Sequence, residues 1–315
     1  MPERSSQAGP AEAPDAAPGS KVYVIQNPAA GGRHPERLRR IIGTTLEARG
    51  VSYQFAYTEA PGHAEELAAA AVASGFPRVL VAGGDGTVME AVASIADTDT
   101  VLGLIPTGTG NQLAANLGVP SRIPRAVSVA ATGRPRRIDV GMINDRPFTC
   151  MAGAGFDTAL ISPDARLKQR LGYLAYVYAA VEAGLSPQVA SLEITLDGES
   201  FIERGVGLEV ANLPGLRLPG LPWPINIIRD GSIDDGLLDI CILGADSTLS
   251  LISVVASFMT GRPHRNPRIR YLRGREVRVE ADPPLAVQAD GELFGMTPFT
   301  ASVRKRALAV AVPNA

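Results

Sequence analysis

Asp85 stands inside the run Gly83-Gly84-Asp85-Gly86-Thr87, and Glu90 follows on the same stretch. Glycines let a backbone approach a phosphate closely. A helix that starts at such a turn adds free N–H groups and a partial positive charge. A carboxylate in that cradle repels phosphate unless a metal ion or a cationic side chain bridges the two. These residue types point to metal-assisted phosphate chemistry, whereas a bare Gly-Gly would read as an ordinary strand-to-helix turn. Two further acidic turns, Asp234-Asp235-Gly236 and Asp290-Gly291-Glu292, read on their own as hairpin turns, for which Asp-Gly is a standard signal.

The elements that position the glycine turn are legible around it. Val79, Leu80, Val81 and Ala82 form a short apolar run, as in a strand buried on both faces of a parallel sheet. Val88, Val92 and Ile95 then continue as a helix. Upstream, residues 21–26 read as a strand that breaks at Asn27-Pro28-Ala29-Ala30-Gly31-Gly32. Leu38, Ile41, Ile42 and Leu46 have helical spacing, with Gly50 as a C-terminal cap. Residues 51–57 form a second strand, Thr58 to Ala64 lead into an alanine-rich helix, and residues 100–105 form a fourth strand. Pro106-Thr107-Gly108-Thr109-Gly110-Asn111-Gln112 then opens a helix to Leu117. Alternating strands and helices with short connections predict a doubly wound parallel sheet. Ligands bind such sheets at the carboxyl ends of the strands, where Asn27, Gly83 and Thr107 stand.

After Arg134 the pattern changes to short strands with turn residues between them, interrupted by two expected helices over 166–184 and 246–260. The expected organisation is a disordered tail over 1–20, an α/β nucleotide-binding domain over 21–133, and a β-sandwich domain over 134–306. A last strand, within 307–315, is expected to return to the first domain. The 315 residues carry a formal net charge of −2 and include 45% hydrophobic and 20% charged residues, a globular composition that does not argue for nucleic-acid binding. Cys150 and Cys241 are far apart and read as buried thiols of a reducing compartment. No apolar run reaches the ~20 residues that span a bilayer, so a cytoplasmic protein is expected, with peripheral membrane contact.

Taken in order, these marks resemble the lipid kinase family of diacylglycerol and sphingosine kinases, in its soluble bacterial branch. The residues that carry the resemblance are Asn27-Pro28 with Gly31, Thr58 with Gly62-His63-Ala64, Gly83 to Thr87 with Glu90, and Pro106 with Gly108-Thr109 and Asn111. Gly153 with Gly155-Phe156-Asp157, Asp235-Gly236-Leu237-Leu238-Asp239 and Asp290-Gly291-Glu292 complete the series. The resemblance implies ATP and Mg²⁺ as cofactors and a lipid alcohol such as diacylglycerol as acceptor. It implies that Asn27, Thr58, Gly83, Gly84, Asp85, Gly86, Thr87, Glu90 and Thr109 form the nucleotide site. Asp290 and Glu292 would be the catalytic acidic turn, one of them accepting the lipid hydroxyl proton, with Asp85 in the Mg²⁺ and phosphate network. It also implies a structural cation held by the Asp235 carboxylate and the carbonyls of Ser232 and Leu237. Met89, Gln112 and Ala30 depart from the family pattern, which has Asn, Asp and Ser there.

Other readings stay open. NAD kinases share the Gly-Gly-Asp-Gly turn, but Met89-Glu90 is not their Asn-Glu pair. A non-catalytic lipid- or nucleotide-binding protein is the other alternative. On the lipid side, residues 164–186 start basic and turn apolar and aromatic, a core helix or a wall of a lipid cleft. Residues 213–224 form a Pro/Gly loop with Trp223 that suits a membrane interface or the core. The arginines of 262–278 are a solvated face or a contact to an anionic membrane. A homodimer is left open.

Overall fold

A computed structural model describes residues 21–32, 34–156, 187–216, 225–226 and 231–314. The expected tail, the helix over 166–184, Asp157 and most of the Trp223 loop lie outside the described residues.

The first sheet begins with β1 (Lys21–Gln26), β2 (Ser52–Tyr57), β3 (Arg78–Gly83) and β4 (Val101–Pro106). They pair in parallel in the order β2-β1-β3-β4. Helices α1 (Pro35–Glu47) and α5 (Ile123–Thr132) cover one face through Leu38, Ile42, Val127 and Ala130. Helices α2 (His63–Ala73), α3 (Asp85–Ile95) and the short α4 (Gln112–Asn116) cover the other. β3 is buried along its whole length, which is why Val79 to Ala82 are continuously apolar rather than alternating, while buried Arg78 donates to Ala130 O and Gly133 O at 3.3 and 3.0 Å. Helix α5 was not among the expected elements, although its buried Ile123, Ala126, Val127, Ala130 and Ala131 have the spacing of one helical face. Helix α1 ends at Glu47, and Gly50 lies just beyond the end with φ 67.

The chain then builds two antiparallel layers. β5 (Arg134–Ile143), β6 (Arg146–Phe148), β8 (Ala190–Leu196), β9 (Glu199–Gly205), β15 (Glu276–Asp282) and β18 (Phe299–Val312) extend the first sheet to ten strands. β7 (Met151–Gly155), β10 (Gly207–Ala211), β13 (Leu238–Leu243), β14 (Ile269–Gly274), β16 (Ala286–Ala289) and β17 (Glu292–Met296) form a second sheet in the order β14-β13-β10-β7-β16-β17. Leu192, Ile194, Val277, Val279 and Phe299 of the first layer pack on Leu208, Val210, Ile240 and Val287 of the second. This is the expected α/β plus β-sandwich class. β11 (Gly215–Leu216) and β12 (Ile225–Asn226) form a separate ribbon, and α6 (Thr248–Met259) covers the outer face of the second sheet through Leu251 and Val254.

β18 is one long strand where two were expected. Its first half pairs with β15, and Ala309 and Val310 pair in parallel with β4. The register against β5 shifts between Arg304 and Leu308, where Arg306 has φ 53. Buried Asp139 pins that bulge, accepting from Arg306 N at 2.7 Å and Gly236 N at 2.6 Å. Burial raises its carboxyl above the usual range, against the lowering effect of those two bonds.

Candidate active site

The order β2-β1-β3-β4 places the topological switch between β1 and β3, so the loops after β1, β3 and β4 open on one crevice. Asn27 Nδ2 donates to Thr87 Oγ1 at 2.9 Å, tying the first loop to the second. The same side chain turns its own loop, since Ala29 N donates to Asn27 Oδ1 at 2.9 Å. The Gly84 and Gly108 backbones touch, and a Cβ at Gly108 would stand 2.5 Å from the Gly84 Cα. A Cβ at Gly31, whose φ is 73, would overlap the Thr107 carbonyl. Asn111 closes the third loop by accepting from Gly108 N at 3.0 Å and donating to Gly108 O at 2.6 Å.

Asp85 opens α3 at the centre of this cradle. Its Oδ1 accepts from Gln112 N at 2.6 Å, and its Oδ2 faces Gly110, where a Cβ would come within 2.6 Å. The family departure at Gln112 is thus at a residue whose backbone N–H holds Asp85. Burial raises the Asp85 carboxyl, opposed by backbone N–H groups led by that of Gln112. Thr58 is buried, with its N–H on Gln26 O at 3.0 Å. Glu90 accepts from Ala64 N at 3.1 Å and so buttresses the start of α2 from α3. Thr109 is exposed at the mouth of the third loop.

The acidic turn between β16 and β17 faces this cradle from the other layer. Asp290 has φ 47, a left-handed conformation that Asp tolerates. Its Oδ1 accepts from Cys150 N and Met151 N at 2.8 and 2.9 Å. Its Oδ2 accepts from Thr149 N at 2.8 Å and Thr149 Oγ1 at 3.3 Å. Each oxygen therefore accepts two bonds, which fills the roughly four acceptor positions of a carboxylate. Burial pushes the Asp290 carboxyl up to about 6 against the pull of those N–H groups, and the charge of Asp85 adds to the rise. The Glu292 side chain, by contrast, is exposed and has no hydrogen bond among the described residues. Its Oε1 would lie 3.5 Å from a Cβ at Gly86, so it reaches over the glycine turn.

The buried Thr107 Oγ1 has no hydrogen-bond partner among the described residues, and it sits where the glycine backbones converge. An orphaned hydroxyl in a cradle of glycines suits a phosphate-bearing ligand, and the Asp85 carboxylate is a hard oxygen donor of the kind Mg²⁺ takes. The Asp235 turn fits a cation less well. Asp235 accepts from Ser232 N at 3.1 Å and Leu237 N at 3.0 Å, and it is also paired with Arg273. Arg273 Nε reaches Asp239 at 2.9 Å, and Arg136 pairs with Asp234 at 3.0 Å. The guanidinium already supplies the positive charge there.

Comparison with known proteins places the chain in a family. The model of the diacylglycerol kinase catalytic domain matches residues 21–143, and that of the YegS C-terminal NAD kinase beta sandwich-like domain matches residues 150–312. The chain belongs to the diacylglycerol kinase family. A diacylglycerol kinase of Mycobacterium tuberculosis is 32% identical over 303 residues, 93% of this chain and 96% of that one. The diacylglycerol kinase of Bacillus subtilis is 30% identical over 282 residues, 88% of this chain and 91% of that one. In fold, a crystal structure of a diacylglycerol kinase from Bacillus anthracis superposes with a TM-score of 0.76 at 24% identity, covering 94% of this chain and 98% of that one. Among the described residues no helix is long and apolar enough to cross a membrane.

Sequence reasoning missed the N–H cradle of Thr149, Cys150 and Met151 around Asp290, and the pin at Asp139. The first lies about 140 residues from its partner, and neither has a local pattern.

Proposed function

We propose that the protein is an ATP-dependent lipid kinase that transfers the γ-phosphoryl group of ATP to a hydroxyl of diacylglycerol or a similar lipid. The observation that carries this reading is the position of Glu292 over Gly86, on the turn that Asp290 anchors to residues 149–151. Phosphoryl transfer needs positioning and charge neutralisation more than covalent help. The glycine loops and the start of α3 supply N–H groups to the phosphates, with Asn27, Thr58, Thr87 and Thr109 around them. Glu90 supports the crevice through α2. Mg²⁺ held at Asp85 would neutralise the phosphates.

Glu292 is the better proton acceptor, because its carboxylate is free to meet a hydroxyl while the acceptor positions of Asp290 are filled. The lipid O–H proton passes to Glu292 as its oxygen bonds to the γ-phosphorus, and the bond to the β–γ bridging oxygen breaks to release ADP. Asp290 holds the turn that aims Glu292. A second cation at Asp235, with Ser232 and Leu237 carbonyls, requires Arg273 to release the carboxylate.

The experiment is incubation of the purified protein with labelled ATP, Mg²⁺ and a mixed lipid extract, followed by thin-layer chromatography. One labelled phospholipid supports the reading and gives the lipid class. Phosphorylation of added NAD instead would move the protein to the NAD kinase branch. ATP binding without turnover of any lipid would support the non-catalytic alternative.

A further inference from the structure

We propose that the outer face of α6, with the arginines that follow it, docks the protein on an anionic lipid bilayer. This rests on the lipid-kinase reading only for its purpose and names the surface that meets the membrane. Helix α6 is apolar on both sides. Leu251 and Val254 face the second sheet, while Leu249 is 81%, Ile252 56% and Met259 39% exposed. With Ala256 these residues follow one another at helical spacing, so the outward stripe is continuous along three turns. A lone exposed leucine is ordinary, but an aligned stripe on a surface helix is not.

The chain after α6 supplies the charge. It turns at Gly261 and folds back along the helix, with Arg262 N on Ser257 O at 2.8 Å and Asn266 Nδ2 on Ser253 O at 3.0 Å. Arg262, Arg265 and Arg268 therefore flank the stripe, beyond a ridge of Ser253, Ser257 and Thr260. All three arginines are exposed and form no salt bridge among the described residues, whereas Arg270 pairs with Glu203 and Arg273 with Asp235. From Ser247 to Arg275 the chain has no Asp or Glu, and Asp246 just before it is the one carboxylate near Arg268. An apolar stripe beside arginines in excess of nearby acid matches a headgroup layer over acyl chains. A second copy of the chain on this face would bring no carboxylate from residues 247–275 to these arginines, whereas an anionic headgroup layer neutralises them.

The test is sedimentation of the full chain with phosphatidylcholine vesicles, with and without phosphatidylglycerol. The variants are Arg262→Gln/Arg265→Gln/Arg268→Gln and Leu249→Ser/Ile252→Ser, all at exposed positions, with folding checked by circular dichroism. Each arginine near an anionic surface is worth about five-fold in partitioning, so the triple variant should lose on the order of 100-fold on anionic vesicles. The serine variant should weaken binding with the charge unchanged. Parent-like partitioning of both variants overturns the proposal, as does failure of the parent to bind anionic vesicles. So does a monomer–dimer equilibrium, seen by light scattering, that Leu249→Ser/Ile252→Ser abolishes. Turnover of a short-chain diacylglycerol in detergent micelles separates the two readings. Both variants should keep it, and its absence in the parent removes the kinase reading while the vesicle result stands.

Discussion

Asp290→Asn takes the charge out of the acidic turn but keeps one acceptor in it. With the amide oxygen toward Cys150 and Met151, those two bonds survive, and the Thr149 hydroxyl can turn to accept from the new NH₂ group. The Thr149 N–H then loses its partner, at a cost of about 1–3 kcal/mol. The lost charge offsets this. Burial raises the carboxyl from 3.8 to about 6, so keeping it ionised above pH 6 costs the fold at most about 3 kcal/mol at 1.36 kcal/mol per unit. The variant should therefore melt within about 2 kcal/mol of the parent at pH 8. The parent itself binds this proton more tightly folded than unfolded, so Asp290's contribution is full at low pH, falls as pH rises from 3.8 to about 6, and is flat above. Asp290→Ala differs, because it orphans three N–H groups and puts Ala at φ 47, costing roughly 4 kcal/mol or more. Activity is read as kcat and kcat/KM for the parent, Asp290→Asn and Glu292→Gln. Loss of a general base costs about 10²–10⁴ in rate, which is expected for Glu292→Gln. Asp290→Asn should fall by about 10–10², the scale of misplacing a group by an ångström. A loss in Asp290→Asn larger than that in Glu292→Gln would refute the assignment of the proton to Glu292.

The remaining predictions concern the phosphate loops and the Asp235 turn. Asn27→Ala breaks the 2.9 Å bond to Thr87, and loss of about 1 kcal/mol of loop order should raise the KM for ATP roughly five-fold with kcat little changed. Gly108→Ala drives a Cβ to 2.5 Å from Gly84 and should lower stability by about 1–3 kcal/mol, read by urea unfolding, and abolish ATP binding, read by calorimetry. Without nucleotide, Mg²⁺ should leave the parent Tm unchanged because Arg273 already neutralises Asp235. Arg273→Met should melt lower and regain stability on adding Mg²⁺, and Mg²⁺ stabilisation of the parent that Asp235→Asn removes would show that Arg273 gives way to the ion.

What the sequence determined alone is local. The apolar run of β3, the glycine turn and the start of α3 are encoded by neighbouring residues, because burial on both faces, close backbone approach at glycine and helix periodicity each leave a short-range pattern. Helix α5 had such a pattern as well and is legible in retrospect. The ordered series of short motifs points to the family by itself. The tertiary structure decided what those motifs do together. Only the strand order brings Asn27 to Thr87 and Gly31 to Thr107, and only the sandwich brings residues 149–151 around Asp290 and Glu292 over Gly86. The choice of Glu292 over Asp290 as proton acceptor depends on counting bonds made by residues about 140 positions away. Likewise, an apolar α6 could be read as a helix, but which of its faces stays uncovered depends on the sheet beneath it. Hydrogen bonds within a turn are set by adjacent residues, whereas these sites are set by sheet order and register, which no short stretch of chain contains.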